Sequence, residues 1–277
     1  FRKKTMKLLL KRAKVILRQK ISPATLEWIK KIIGSYKFDE VDLIYNVLAD
    51  KINSKIMIDV GAHYGESFSS FLFDKWDVYA FEPDNENMKI LSFFSNSKGK
   101  LVLDKRGCSN KSAKSINFFS SVVSSGISSL SPFHNSHILA NKIDTVTIAD
   151  YVEEQKIKEI GFLKIDTEGH DFFVLQGMPW GKVKPEVIVC EFEDSKTKKL
   201  GYTYNEMANF LKEKKYYLLV SEWDPIVEYG QRHKPKKLHE YPCTLINNNA
   251  WGNIIAFSNK EFYKLFLEST ISGKTFK

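Results

Sequence analysis

The stretch Ile56-Met57-Ile58-Asp59-Val60-Gly61-Ala62-His63-Tyr64-Gly65 constrains the fold of this chain more than any other. An apolar run reaches Asp59, Gly61 and Gly65 follow, and a helix-like stretch comes next. A second apolar run, Val78 to Phe81, then ends in Glu82-Pro83. A strand, a glycine turn, a helix and a strand ending in an acid open a doubly wound nucleotide fold. Glycine lets the backbone approach a ligand closely, and the acid on the second strand accepts hydrogen bonds from a ribose diol.

Two cofactors compete for such a turn. A dinucleotide site uses G-x-G-x-x-G, so that helix amides face a pyrophosphate. Here Ala62 and His63 follow Gly61, and the next glycine is Gly65. The pattern D-x-G-x-x-x-G suits S-adenosylmethionine, which has an amino-acid tail and a sulfonium in place of phosphates. Asp59 could sit near the ammonium of that tail, with Gly61 and Gly65 making room for it.

Alternation of strand and helix patterns continues along the chain. Strands are predicted at 56–60, 78–82, 100–104, 161–166, 186–192, 216–222 and near 253–258, with helices at 66–74, 84–95, about 171–178 and near 204–214. Each strand–helix–strand unit implies parallel pairing with a right-handed crossover. The expected fold is therefore α/β: a doubly wound, mostly parallel, seven-stranded Rossmann-like sheet with an N-terminal helical appendage. The expected layout is a basic, amphipathic helical region over 1–52, a catalytic domain over 53–260 and a C-terminal helix and tail over 261–277. Two insertions interrupt the domain, at about 107–146 and 223–252. The first is rich in serine between Ser120 and Ser131, and its length inside a compact domain points to a lid or binding loop.

A second block reads Lys164-Ile165-Asp166-Thr167-Glu168-Gly169-His170-Asp171, followed by Val174-Leu175-Gln176-Gly177 and by a strand ending in Glu191. With these residues the chain resembles the FkbM-type methyltransferases, S-adenosylmethionine-dependent enzymes of class I fold. The resemblance spans about residues 55 to 195. His63 stands where the family usually has Asn and Asp171 where it usually has Glu. Thr147-Ile148-Ala149-Asp150 stands in place of a Thr-Leu-Asp-Asp run. Carried over by motif, the resemblance implies Asp59, Gly61, His63 and Gly65 around the donor's amino-acid tail and Glu82 on its ribose. Cys108 and Ser109 would lie along the adenine, and Asp166 at the junction of donor and acceptor.

Transfer to an alcohol releases a proton as the new bond forms, so a base past the strand ends helps. Asp166, Glu168, His170, Glu191 and Glu193 lie there, and Asp166, His170 and Glu191 are the catalytic candidates. His134 in the serine-rich loop, Glu168, and Tyr229, Arg232 and His233 in the second insertion are candidates for acceptor binding. Basic and aromatic side chains on that insertion suit a sugar ring or an anionic acceptor. Family habit and this loop imply O-methylation of a sugar hydroxyl in a bacterial surface glycan or a related metabolite. The alternatives are RNA, a small natural product, or an inactive methyltransferase-like module, for which Ala149 is the one hint. Asp166, Glu168, His170 and Glu191 could also gather around a divalent ion, but their spacing is not diagnostic and no metal is called for.

Composition narrows the class. At 277 residues and 43% apolar content, one substantial core can form. The cysteines, Cys108, Cys190 and Cys243, are odd in number and lack metal spacing, which implies a reducing, cytoplasmic setting. No apolar run approaches the roughly 20 residues that span a bilayer, and Leu8 to Leu10 is too short for a secretory signal. The asparagine/aspartate-Pro-Pro-aromatic motif of amino-directed DNA methyltransferases is absent, and Cys243, though it follows Pro242, lies in the terminal loop rather than at a strand end. The net charge of +9 is uneven: nine Lys and Arg and no acid lie between residues 2 and 20. Leu8, Leu9, Ala13, Val15, Ile16 and Leu17 recur there at helical spacing, so the segment is a basic amphipathic helix. Packing on the domain or in a homo-oligomer is its expected role. Peripheral contact with the inner face of a membrane is the alternative. Basic residues without a groove-reading motif do not argue for nucleic acid.

Overall fold

The computed structural model describes residues 2–33, 38–121, 128–132, 135–226 and 233–272. Three helices lead: α1 (Arg2–Lys20), α2 (Pro23–Ile32) and α3 (Glu40–Leu48). The expected cap at Gly34 lies outside the described residues. Asp39 caps α3, its carboxylate accepting from the N–H groups of Val41 and Asp42.

The central layer then begins with β1 (Ile56–Val60), α4 (Ser69–Phe73), β2 (Asp77–Phe81), α5 (Asn85–Leu91) and β3 (Leu101–Asp104). An excursion follows: β4 (Gly107–Cys108), β5 (Ala113–Ser121) and β6 (His137–Val146) form a separate three-stranded sheet. The chain returns through α6 (Ile148–Glu154), β7 (Phe162–Ile165), α7 (Asp171–Gln176), β8 (Val187–Glu193), α8 (Asp194–Thr197) and α9 (Tyr204–Glu213). It ends with β9 (Tyr217–Trp223), β10 (Pro235–Glu240), β11 (Trp251–Phe257) and α10 (Lys260–Ser272).

Eight strands, not seven, make the main sheet, in the order β10-β9-β11-β8-β7-β1-β2-β3. From β3 to β8 the pairing is parallel; β11 is antiparallel to both β8 and β9, and β10 is antiparallel to β9. The additional strand is the segment expected as a basic loop. Its sequence, Pro-Lys-Lys-Leu-His-Glu, opens on proline and carries lysines, a composition that suits a solvent-facing sheet edge. Inner strands are mostly apolar because helices cover both faces. Ile58, Val60, Leu163, Ile165, Ile188 and Cys190 pack against α6, α7 and α9. Met57, Val78, Phe162, Val187 and Val189 point the other way, toward α3, α4 and α10. The helices before and after the sheet therefore share one of its two cores.

The apolar spacing of α1 has an unexpected outcome. Among its described side chains only Val15 is buried, while Leu9, Leu10, Ile16 and Leu17 are exposed. No helix among the described residues is long and apolar enough to cross a membrane. All three cysteines are free thiols.

Candidate active site

Glycine at 61 is what lets the turns after β1 and β7 touch. Its φ is 83°, and a Cβ there would stand 1.8 Å from the carbonyl oxygen of Asp166. The N–H groups of Gly61 and Ala62 both donate to the carbonyl of Phe81 at 3.0 Å, fixing the turn to the end of β2. Gly65 serves packing: a Cβ there would lie 2.6 Å from the ring of Phe68, and it is outside the cavity lining.

A cavity of about 230 Å³ opens at the C-terminal rim of the sheet. From the first turn it receives Gly61 and His63, from the end of β2 Glu82 and Pro83, and from β4 Gly107 and Cys108. From the β7 turn come Asp166, Thr167, Glu168 and His170. The Glu82 carboxylate accepts from the N–H groups of His63 and Asp84, each at 2.8 Å. With these two backbone donors and a side-chain hydrogen bond from Asn87, the carboxylate still has a lone pair to spare. Burial pushes its pKa up to about 7 despite them. The His63 ring stacks on Tyr64, and burial holds it down to about 4.

Behind the turn sits Lys164. Its ammonium donates to the carbonyl of Gly61 at 3.1 Å and lies 3.6 Å from Asp59 and 3.3 Å from Asp166. Register explains the first pair, since Asp59 on β1 lies directly beside Lys164 on β7. Burial works against the ammonium, but Asp166 and Asp59 outweigh it and hold Lys164 above the ordinary lysine range. Asp59 itself is fully buried, takes a hydrogen bond from the Ser67 hydroxyl, and does not line the cavity. Burial pushes its pKa up, while Lys164 and Ser67 pull against it. Asp59 thus stands one layer behind the place expected for it at the donor's ammonium. Asp166 differs: its side chain is 40% exposed and faces the cavity.

Glu168 (φ 56°) accepts from Lys196 at 2.5 Å, and that buried lysine also lies 2.7 Å from Glu193 and 3.9 Å from Glu191. Burial raises Glu168 to about 7 and lifts Glu191 well above the carboxylate range. Glu191 lies outside the cavity lining. Among the described residues, Asp166, Glu168 and Glu191 are the group close enough to share a metal, with ligand atoms within 4.8 Å of one another. A cation already serves two of them, the ammonium of Lys196.

His170 sits at the N-cap position of α7, with Nε2 3.0 Å from the Ser109 hydroxyl and Nδ1 buried without a hydrogen-bond partner. Burial lowers it to about 4, so the ring is neutral near pH 7. Ser109 does not line the cavity and acts through this contact. Asp171 accepts from the Thr167 hydroxyl at 2.8 Å and from the N–H of Glu191 at 3.2 Å, bracing the β7 turn against β8. Ala149 lies on α6, donates its N–H to the carbonyl of Gly177 at 2.9 Å, and is outside the lining.

The serine-rich insertion covers the cavity. Phe118 on β5 and Ser128, Ser129 and Leu130 complete the lining. Ser129 pairs with Phe119 through two backbone hydrogen bonds of 2.9 Å, and its hydroxyl donates to the carbonyl of Glu168 at 3.1 Å. His134, Tyr229 and Arg232 lie outside the described residues. His233 does not line the cavity; its ring meets Trp251 edge-on at 5.2 Å. Sequence reasoning assigns no role to Lys164, Lys196, Phe118 or Ser129, and Lys164 enters it only as a motif residue. A lysine inside an apolar strand was a readable signal for Lys164, since lysine is almost never buried unpaired. Lys196 gives no such sign among its neighbours.

The residues present fit a sulfonium donor: a lone pair to spare on the Glu82 carboxylate for a diol, a glycine turn, and the open Asp166 carboxylate. A family model, the methyltransferase FkbM domain, matches residues 59–218, more than half of the chain. No curated protein matches significantly. Solved structures similar to the chain include precorrin-6y C5,15-methyltransferase of Geobacter metallireducens GS-15, at 12% identity and TM-score 0.39, covering 79% of this chain and 87% of that one. An rRNA methylase of Streptococcus thermophilus is similar at 11% identity and TM-score 0.39, covering 81% and 99%. SMU.1697c of Streptococcus mutans, solved with SAH, gives 11% identity and TM-score 0.41, covering 80% and 99%. Likenesses this remote add no weight. The family match and the strand-end motifs carry the assignment: the chain belongs to the methyltransferase FkbM domain family and is an S-adenosylmethionine-dependent methyltransferase.

Proposed function

We propose that this enzyme methylates a hydroxyl, on a sugar of a surface glycan or a related metabolite, presented to Asp166 beneath the serine-rich insertion. The observation that carries the reading is the position of Asp166. Its carboxylate is fixed on one side by Lys164 at 3.3 Å and open on the other to the cavity shared with Glu82 and Ser129. When bound, the donor supplies an electrophilic methyl carbon for a single in-line displacement. Glu82 accepts from the donor's diol, and the Gly61 turn leaves space beside it. Asp166 accepts the acceptor's hydroxyl proton as the carbon–oxygen bond forms, and Lys164 keeps that carboxylate in place. Ser128, Ser129 and Leu130 exclude water above it. His170, neutral and tied to Ser109, positions the turn rather than moving the proton.

Trp251 supports a sugar. It lies in register with Glu193 on the same face of the sheet, its ring tilted by 39° to that of Trp223 at 5.2 Å, so aromatic surface stands beside the acidic end of β8. The test is donor consumption against a panel of nucleotide sugars, glycan fragments and RNA. Turnover with a glycan fragment that depends on its free hydroxyl supports the reading; turnover that requires RNA removes it.

A further inference from the structure

We propose that the outward face of α1 and α2 rests on a lipid bilayer bearing anionic headgroups. A surface helix normally turns its apolar stripe inward. α1 is mounted the other way. Its grip on the domain is largely polar: Lys11 donates to the Tyr64 hydroxyl, Arg18 pairs with Glu66, and Gln19 donates to the carbonyl of Phe93 at 2.7 Å. At about 100° per residue, Leu9, Leu10, Ala13, Ile16 and Leu17 fall within one arc of roughly 120°. Every one of them is exposed, Leu10 by 59%. The next helix exposes Trp28 and Ile32, one turn apart, by 62% and 63%.

Charge selects the occupant. Residues 2–20 hold nine basic residues and no acid, which equals the net charge of the whole chain, +9. The rest of the protein is therefore neutral, and the entire excess lies along this one helix. A second copy docking face to face would set one such helix against another. An RNA would use the cations but has no use for exposed leucine, isoleucine and tryptophan. An anionic bilayer takes both, with apolar side chains entering the headgroup boundary and lysines meeting phosphate. The helix lies on the bilayer and does not cross it. Tyr64 and Glu66, which the inward side of α1 grips, flank Gly65, so α1 would lie between the bilayer and the turn beside the cavity. The inference is independent of the acceptor.

The experiment is flotation of the full chain with phosphatidylcholine vesicles, with and without phosphatidylglycerol, while following tryptophan emission. The expected result is binding only to vesicles with phosphatidylglycerol, weakened by salt, with a blue shift that Trp28→Phe removes. Binding should fall about tenfold in Lys14→Glu/Lys20→Glu and by a similar factor in Leu10→Asn/Leu17→Asn. All four side chains are exposed, and unchanged circular dichroism and donor binding in these variants show that the fold survives. Failure to bind phosphatidylglycerol vesicles overturns the proposal. Binding insensitive to Leu10→Asn/Leu17→Asn also overturns it, because a bare polyanion would then suffice. So does a dimer or an RNA complex that uses this face while vesicles are ignored.

Discussion

Two strand ends meet at Lys164. The turn after β1 starts from Asp59, which is buried, bonded to Ser67 and 3.6 Å from the lysine. The turn after β7 starts from Asp166, which is 3.3 Å from the same lysine with its carboxylate open to the cavity. Each turn has an acid and then glycine before a helix, yet the first acid is framework and the second is reachable. The difference comes from sheet register. Asp59 lies within β1, opposite Lys164, whereas Asp166 has just left β7 at the rim. Two residues of position along the paired strands separate a buried carboxylate from one that can meet a substrate.

The most severe way to break the contrast is Gly61→Ala. A Cβ 1.8 Å from the Asp166 carbonyl separates the two turns, and the loss should be about 4 kcal/mol or more, read as absence of a cooperative unfolding transition. Asp166→Asn should leave the unfolding midpoint nearly unchanged and cut turnover by about 10³-fold. Wild-type rates in that variant would remove Asp166 from the chemistry. Asp59→Asn should do the reverse first, lowering stability by about 3 kcal/mol by taking one partner from a buried ammonium. A denaturant midpoint equal to wild type would refute its framework role.

Glu82 offers a pH test. The folded protein keeps its proton up to about 7, whereas the ordinary glutamate value is 4.5. Across that interval the folded state binds more protons than the unfolded one, so this group's contribution is full below 4.5 and is lost as pH rises through about 7. Donor binding should favour the ionised carboxylate, so affinity should rise as pH climbs through 7, with proton release seen by calorimetry in buffers of different ionisation heat. Glu82→Gln should flatten that profile and weaken donor binding about tenfold. The smallest effect belongs to the cover. Ser129→Ala removes one hydrogen bond to the Glu168 carbonyl and should raise the acceptor KM about threefold with kcat little changed. A change in donor affinity instead would place the insertion over the wrong half of the cavity.

Much of the donor half was legible because its requirements are local. Gly61 must be glycine for reasons felt within its own turn, and Glu82 follows the last apolar residue of β2 directly. The apolar runs of β1, β7 and β8 announce strands buried on both faces. The acceptor half was legible only in outline. The serine-rich insertion reads as a cover, but nothing local says that Ser129 will reach Glu168, 39 positions away. β10 reads as a basic loop because an edge strand needs only half of its backbone paired and tolerates lysine and proline.

The sequence by itself determined the family, the chain order of the parallel strands, and the acids and glycines at the strand ends, since each depends on residues adjacent in the chain. Tertiary structure decided which of two similar acids is buried and that Lys196 neutralises a cluster of glutamates. It also decided that α1 turns its leucines outward. These depend on which distant segments meet and in what register, and periodicity specifies the faces of a helix without saying which one the domain will cover.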